Sequence, residues 1–162
     1  VEGGYLKRFP IDNNPEAVIQ FNSKDISQYN TYSNPLYGYV IQYPDFFIPK
    51  PDPANGDGRS FVSPDGKTTL TVWGSHSPSV LGKSPKEYYE WILANTEGQI
   101  TYKANGKTWY AMAGIQGEMS FYQKTFVNQD ENSFLITMPT DQVDYYRGII
   151  DVMEKQFHSG TV

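Results

Sequence analysis

The 162-residue chain contains no cysteine. That excludes disulfides, thiolate metal sites and cysteine nucleophiles together. It has two histidines, His76 and His158. Zinc sites ordinarily take three or four nitrogen or sulfur ligands, so no transition-metal site is expected, and nothing calls for a cofactor. No apolar run approaches the ~20 residues of a membrane-spanning helix. Lys and Arg number 13 against 18 Asp and Glu, for a net charge of −5 and a pI near 4.9. The basic residues form no cluster, and a surface that tracks phosphates needs one, so nucleic acid is not an expected partner. The Asn55-Gly56-Asp57-Gly58 run is rich in glycine but acidic, and would repel a phosphate rather than cradle it. No Gly-x-Ser-x-Gly turn is present to display a nucleophile. The chain starts at Val1 rather than Met and shows no signal-like segment, which reads as a processed product that has lost a signal peptide or lipid anchor. The missing thiols fit either a reducing cytosol or an envelope protein that avoids them, but with a composition rich in Tyr, Asn, Gly and Pro this start points to a bacterial envelope protein, periplasmic or secreted.

Aromatics are what the sequence has in excess: 13 Tyr, 9 Phe and 3 Trp. Tyrosine-rich strands suit sheets that are half wet, because the ring packs while the hydroxyl reaches solvent. Residues 36–74 organise the rest. Tyr39, Ile41 and Tyr43 alternate with Val40 and Gln42, the period of a strand with one buried face. Pro44 ends it, since proline cannot donate to a ladder. Residues 44–58 carry four prolines and two glycines, which precludes a helix or a long strand. Residues 59–63 then pair with 68–74 across Pro64-Asp65-Gly66-Lys67, where proline presets the backbone and Asp-Gly tolerates positive φ.

Upstream, residues 1–35 are dominated by Asn, Ser, Asp and Tyr and read as a partly ordered arm wrapping a single domain of residues 36–160. Asn14 and Pro15 could open a short helix there. Downstream, Ser84, Pro85 and Glu87 make a capping box that starts a helix ending near Gly98, with Tyr88, Trp91, Ile92 and Asn95 on one side. Residues 99–103 and 108–113 flank Ala104-Asn105-Gly106-Lys107, a strong hairpin signal. Gly114 and Gly117 read as a bulge or bend in the second strand. Residues 118–127 and 133–138 continue an antiparallel meander. The last element is a helix over residues 140–157, with Thr140 as N-cap and Val143, Tyr146, Ile150, Met153 and Phe157 as its apolar stripe. The expected architecture is α+β, an antiparallel β-sheet covered by amphipathic helices.

The Tyr37-Gly38-Tyr39 strand running into Tyr43-Pro44, the hairpin, the Ser-Pro-x-Glu helix start, the meander and the final amphipathic helix resemble the PsbP/Mog1-like superfamily. The resemblance covers about residues 36–158. It implies an α/β/α sandwich on an antiparallel sheet. Superfamily members include extrinsic photosystem subunits, Ran-binding nuclear import factors and small bacterial envelope lipoproteins. It further implies a non-enzymatic binding or assembly module with a protein partner, and no family site transfers residue by residue.

Three functional readings follow. The first is that extracytoplasmic binding or assembly module. Paired Tyr and Trp residues exceed what one small core needs, and exposed aromatics are enriched in binding patches, so Trp73 and Trp109 are candidate binding residues. The second is a small hydrolase using His76, which lies between Ser75 and Ser77, or a carboxylate pair drawn from Glu87, Glu90 and Glu118. Neighbouring residues on an extended chain point apart, which weighs against the Ser–His pair. The third is calcium or small-ligand binding through the 44–58 loop. Asp52, Asn55 and Asp57, with Asp45 upstream, supply oxygens near glycines. The twelve-residue helix-loop-helix spacing fails there, because positions one and twelve would be Pro53 and Pro64.

Overall fold

The computed structural model describes residues 21–51, 55–76 and 82–160. Among these, nine strands and two α-helices follow in order: β1 (Tyr29–Ser33), β2 (Val40–Pro44), β3 (Ile48–Pro49), β4 (Gly58–Val62), β5 (Thr69–His76), α1 (Pro85–Asn95), β6 (Gln99–Asn105), β7 (Trp109–Gln116), β8 (Met119–Val127), β9 (Asp130–Pro139) and α2 (Val143–Lys155). β1 and β2 form a hairpin, and the other seven strands form one sheet in the order β3-β4-β5-β9-β8-β7-β6. Every pairing is antiparallel. The architecture is α+β, a mainly antiparallel sheet with two helices. The strands before and after α1 join because β5 lies along β9, with Leu70 opposite Ile136 and Val72 opposite Phe134.

Side chains alternate along each strand, so the register defines two faces. One face carries Phe61, Leu70, Val72, Phe134, Ile136 and Met138, all buried, and packs with Tyr39, Ile41 and Tyr43 of the β1–β2 hairpin and with Tyr146, Ile149 and Met153 of α2. This is the main core. The opposite face carries Tyr110 and Val127, which meet Tyr89 of α1 in a second, smaller cluster. β1 lies within the segment read from sequence as an arm. It pairs along its whole length with β2 and buries Tyr29. Buried Asn34 shapes the connection between them: its Oδ1 accepts from the Leu36 and Tyr37 amides at 3.0 and 2.8 Å, and its Nδ2 donates to the Gly56 carbonyl at 2.9 Å. The helix start expected at Asn14 lies outside the described residues.

Several local expectations hold. The Pro64–Lys67 link is a tight turn with Gly66 at φ +75°, and the Asp65 carboxylate accepts from the Lys67 amide at 2.9 Å. The α1 capping box is complete: the Glu87 amide donates to Ser84 Oγ, and the Ser84 amide donates to Glu87 Oε1 at 2.9 Å. Others are corrected. The inward face of α1 is Tyr89, with Tyr88, Ile92 and Leu93 beside it, while Trp91 is 49% exposed. The β6–β7 connection centres on Lys107 and Thr108, closed by the Gly106 amide donating to the Trp109 carbonyl at 2.8 Å. Gly106 is needed because the Trp109 ring packs where a side chain would stand. The irregularity assigned to β7 falls on β6, between Ile100 and Tyr102, and Gly117, at φ +63°, makes the β7–β8 turn. Thr140 is not an N-cap. It opens a short 3-10 turn ahead of α2, and its hydroxyl pairs with that of Ser120 at 2.9 Å. Buried Gln142 in that turn ties α2 to the β4–β5 link, accepting from Thr68 Oγ1 and donating to Asp65 Oδ2, each at 3.1 Å.

Candidate functional site

Three strands and one helix build a broad concavity on the α2 side of the sheet. β7 turns Trp109, Ala111, Ala113 and Ile115 to this face. The two alanines are small, and their register neighbours are large: Ala113 lies between Tyr102 of β6 and Tyr122 of β8, and Ala111 lies beside Lys124. Small residues between large ones leave a hollow. Tyr102 and Tyr122 meet across Ala113 with ring centroids 6.4 Å apart, in a stacked arrangement. Lys124 extends over the Trp109 ring, its ammonium 4.8 Å from the centroid, a cation–π contact. The cleft has a volume of about 790 Å³. Its far wall is the acidic side of α2 and the turn before it, with Asp141, Asp144, Asp151 and Glu154 against one cation, Arg147.

Glu154 fastens that wall to the sheet. Its carboxylate accepts from the Tyr122 hydroxyl at 2.5 Å and pairs with the Lys124 ammonium at 3.8 Å. Glu154 stands in the last turn of α2, where the helix dipole disfavours an anion. The Tyr122 hydroxyl and Lys124 offset that. Burial first, and then the Glu154 carboxylate, push the Tyr122 phenol well above its ordinary range, so it stays a donor at physiological pH. The Arg147–Asp144 pair, 3.0 Å apart, forms the solvent-exposed rim of that wall. The site can therefore stack a flat or cationic group on Tyr102, which is 48% exposed, and oppose positive charge at its wall. A second cleft of about 520 Å³ lies on the other face, between β6 and Glu90, Leu93 and Ala94 of α1.

Of the residues singled out in the sequence, Trp109 does not line the main cleft; it carries Lys124, which pairs with Glu154 of the cleft wall, and it borders a small gap beside Pro85, Lys86 and Tyr89 of α1. Nor does Trp73 line it. It stands opposite Gly58 and Ser133, in the row that continues through Thr125 to Tyr110, and so faces the α1 side of the sheet. His76 ends β5 in an exposed position across from Asp130, while Ser75, on the other side of the strand, donates its hydroxyl to Glu131 at 3.2 Å. The structure thus separates Ser75 from His76. Glu87 is occupied by the capping box. Asp52 lies outside the described residues. Asn55 and Asp57 bond to each other, Nδ2 to Oδ2 at 3.0 Å, and the Asp57 carbonyl accepts from the Tyr39 hydroxyl at 2.8 Å and the Gly74 amide at 2.9 Å. The visible part of that loop is tied to the core. Among the described residues, no three His, Asp or Glu side chains are grouped as metal ligands. Tyr102, Tyr122, Lys124 and Glu154 were not singled out in the sequence. Their signal is the Ala111–Ala113 pair among bulky neighbours, which means nothing until the register of β6, β7 and β8 is known.

No protein-family model matches the sequence, and no curated protein sequence matches it at significant similarity. Solved structures do match. The solution structure of the cyanobacterial PsbP (CyanoP) of Synechocystis sp. PCC 6803 superposes with a TM-score of 0.59 at 18% identity, covering 86% of this chain and 97% of that one. The fold is PsbP-like. A crystal structure of a Bacteroides thetaiotaomicron VPI-5482 protein superposes at 0.54 with 11% identity, covering 82% of this chain and 48% of the other. At these identities the likeness concerns the PsbP-like architecture. No helix among the described residues is long and apolar enough to cross a membrane.

Proposed function

We infer that this PsbP-like chain is a non-enzymatic binding or assembly module that works outside the cytoplasm and engages a protein partner through the cleft between α2 and strands β6–β8. On this reading the two helices flank the sheet as an α/β/α sandwich, and the partner face is the end of the sheet that α2 leaves open. The observation that carries it is the half-exposed Tyr102 stacked on Tyr122 at the cleft floor, beside the Lys124–Trp109 contact. Large aromatic rings held rigid by their neighbours supply contact area with little conformational entropy to lose, which is why such rings act as interface anchors. The composition rich in Tyr, Asn, Gly and Pro and the superfamily resemblance support the extracytoplasmic setting.

Crosslinked affinity capture from the source organism tests this with three variants. A partner held by wild type and by Trp73→Ala, but lost with Tyr102→Ala and weakened with Trp109→Ala, is the expected result. Removal of a central aromatic anchor costs about 2 kcal/mol or more, roughly thirtyfold in affinity. Equal capture by all four proteins, or none by a folded wild type, sinks the reading.

A further inference from the structure

The two clefts share a strand. β6 is an edge of the seven-stranded sheet, with β7 on one side and no described strand on the other. The opposite edge, β3, has two residues, one of them a proline. β6 has seven, and five of them are exposed. The Gly106 amide donates to the Trp109 carbonyl, which makes that pair hydrogen-bonded. Alternation along an antiparallel ladder then turns the N–H and C=O groups of Asn105 and Lys103 outward, away from β7. Thr101 and Tyr102 line both clefts, one on each face of the strand.

We propose that the β6 edge accepts an extended segment of a partner protein as an eighth strand, with Lys or Arg side chains directed to the α2 cleft and apolar side chains to the α1 cleft. The proposal rests on the binding-module reading and adds the mode and the partner's chemistry. A strand laid on β6 places successive side chains on alternate faces, next to their cross-strand neighbours. On the α2 side that neighbour is Tyr102, whose ring can take a cation on its face, as Trp109 does for Lys124. Asp144, Asp151 and Glu154 stand beyond it, against Arg147. On the α1 side the cross-strand neighbour is Lys103, whose aliphatic stem can pack on an apolar side chain, and the cleft beyond it is lined by Leu93 and Ala94, with Glu90 at its edge and Ile100 past the irregularity. The irregularity between Ile100 and Tyr102 confines regular pairing to residues 102–105. Lys103 on the edge works against a second copy, because antiparallel self-pairing there brings two lysines together.

The test uses the full chain, isotope-labelled, with synthetic peptides of about ten residues: one alternating Lys with Val, one alternating Glu with Val, and one with the Lys/Val composition in blocks. The alternating Lys/Val peptide is expected to slow hydrogen exchange of the Lys103 and Asn105 amides about tenfold, leaving the β8 and β9 amides unchanged, while the other two peptides do not. Lys103→Pro removes an outward N–H without touching the ladder to β7 and is expected to weaken binding about tenfold. Binding that leaves those two amides unprotected, or that Lys103→Pro does not weaken, overturns strand addition while the capture result for Tyr102→Ala still decides the module reading. Absence of protection with the alternating peptide also overturns it. Protection in the peptide-free protein that grows with protein concentration assigns the edge to a second copy and overturns it too. The wild-type exchange pattern decides the matter even if Lys103→Pro does not fold.

Discussion

Glu131 is a carboxylate held inside the protein. It is buried on the α1 face, 6% exposed, and receives a hydrogen bond from Ser75. Burial raises its carboxyl above the ordinary glutamate range, and hydrogen bonds from Tyr88 and Ser75 only partly counter this. Folding therefore favours the protonated form. Its contribution to stability is fully present below the unfolded value of 4.5 and is lost as pH rises through the raised folded value. Glu131→Gln stays neutral and keeps an acceptor for Ser75. Calorimetric melting across the range from about pH 4 to 8 should show wild type losing ground to this variant as pH rises, with Glu131→Gln melting higher at neutral pH. Parallel curves for the two proteins would mean that Glu131 titrates as an ordinary glutamate. No sequence signal marked this residue. It lies in residues 128–132, which read as a turn, yet β9 already begins at Asp130 and buries Glu131 and Asn132. Pairing with β5 and β8 on both sides overrides local composition there.

The same contrast holds among the elements. What one segment decides within itself was legible: the Ser84–Glu87 capping box, the Asp65-Gly66 turn and the alternation of residues 39–43 depend on neighbours a few positions away. What depends on another element was not. The β6–β7 turn shifts along the chain because the Trp109 ring packs against Gly106, and α1 turns Tyr89 inward because Tyr110 is there to receive it, with ring centroids 5.2 Å apart. The candidate cleft belongs to this second kind, since its floor exists only through the register of three strands. α1 also gives a sharp test of how far local signals support an element. Among its residues only Tyr89 is buried, so its capping box carries an unusual share of its stability. Ser84→Ala should cost about 1 kcal/mol and speed exchange of the α1 amides roughly fivefold. Amides of β5, β8 and β9 should exchange at an unchanged rate if α1 opens by itself, and a uniform change across the protein would show that α1 and the sheet unfold together.

At the scale of the whole molecule the two faces of the sheet are unequal. The face under α2 and the β1–β2 hairpin holds the continuous aromatic and aliphatic core, and the α1 face holds a cluster of three buried residues. β9 joins everything: it pairs with β5 on one side and β8 on the other, and Phe134 at its centre is fully buried. The Phe134 ring meets Phe157 edge-on at 5.2 Å and Tyr122 at 5.9 Å, linking the segment after α2 to the floor of the candidate cleft. Truncating a ring in such a site loses its transfer free energy and leaves a cavity. Phe134→Ala should therefore cost about 3–5 kcal/mol in denaturant unfolding. Tyr89→Ala, in the thin α1 cluster, should cost less because water and neighbouring side chains can fill the space. The pair separates two descriptions of the molecule. If the sheet and α2 form one cooperative unit with α1 appended, Phe134→Ala shifts every amide's exchange and Tyr89→Ala shifts those of α1 alone. Equal losses from the two variants would make the faces one core.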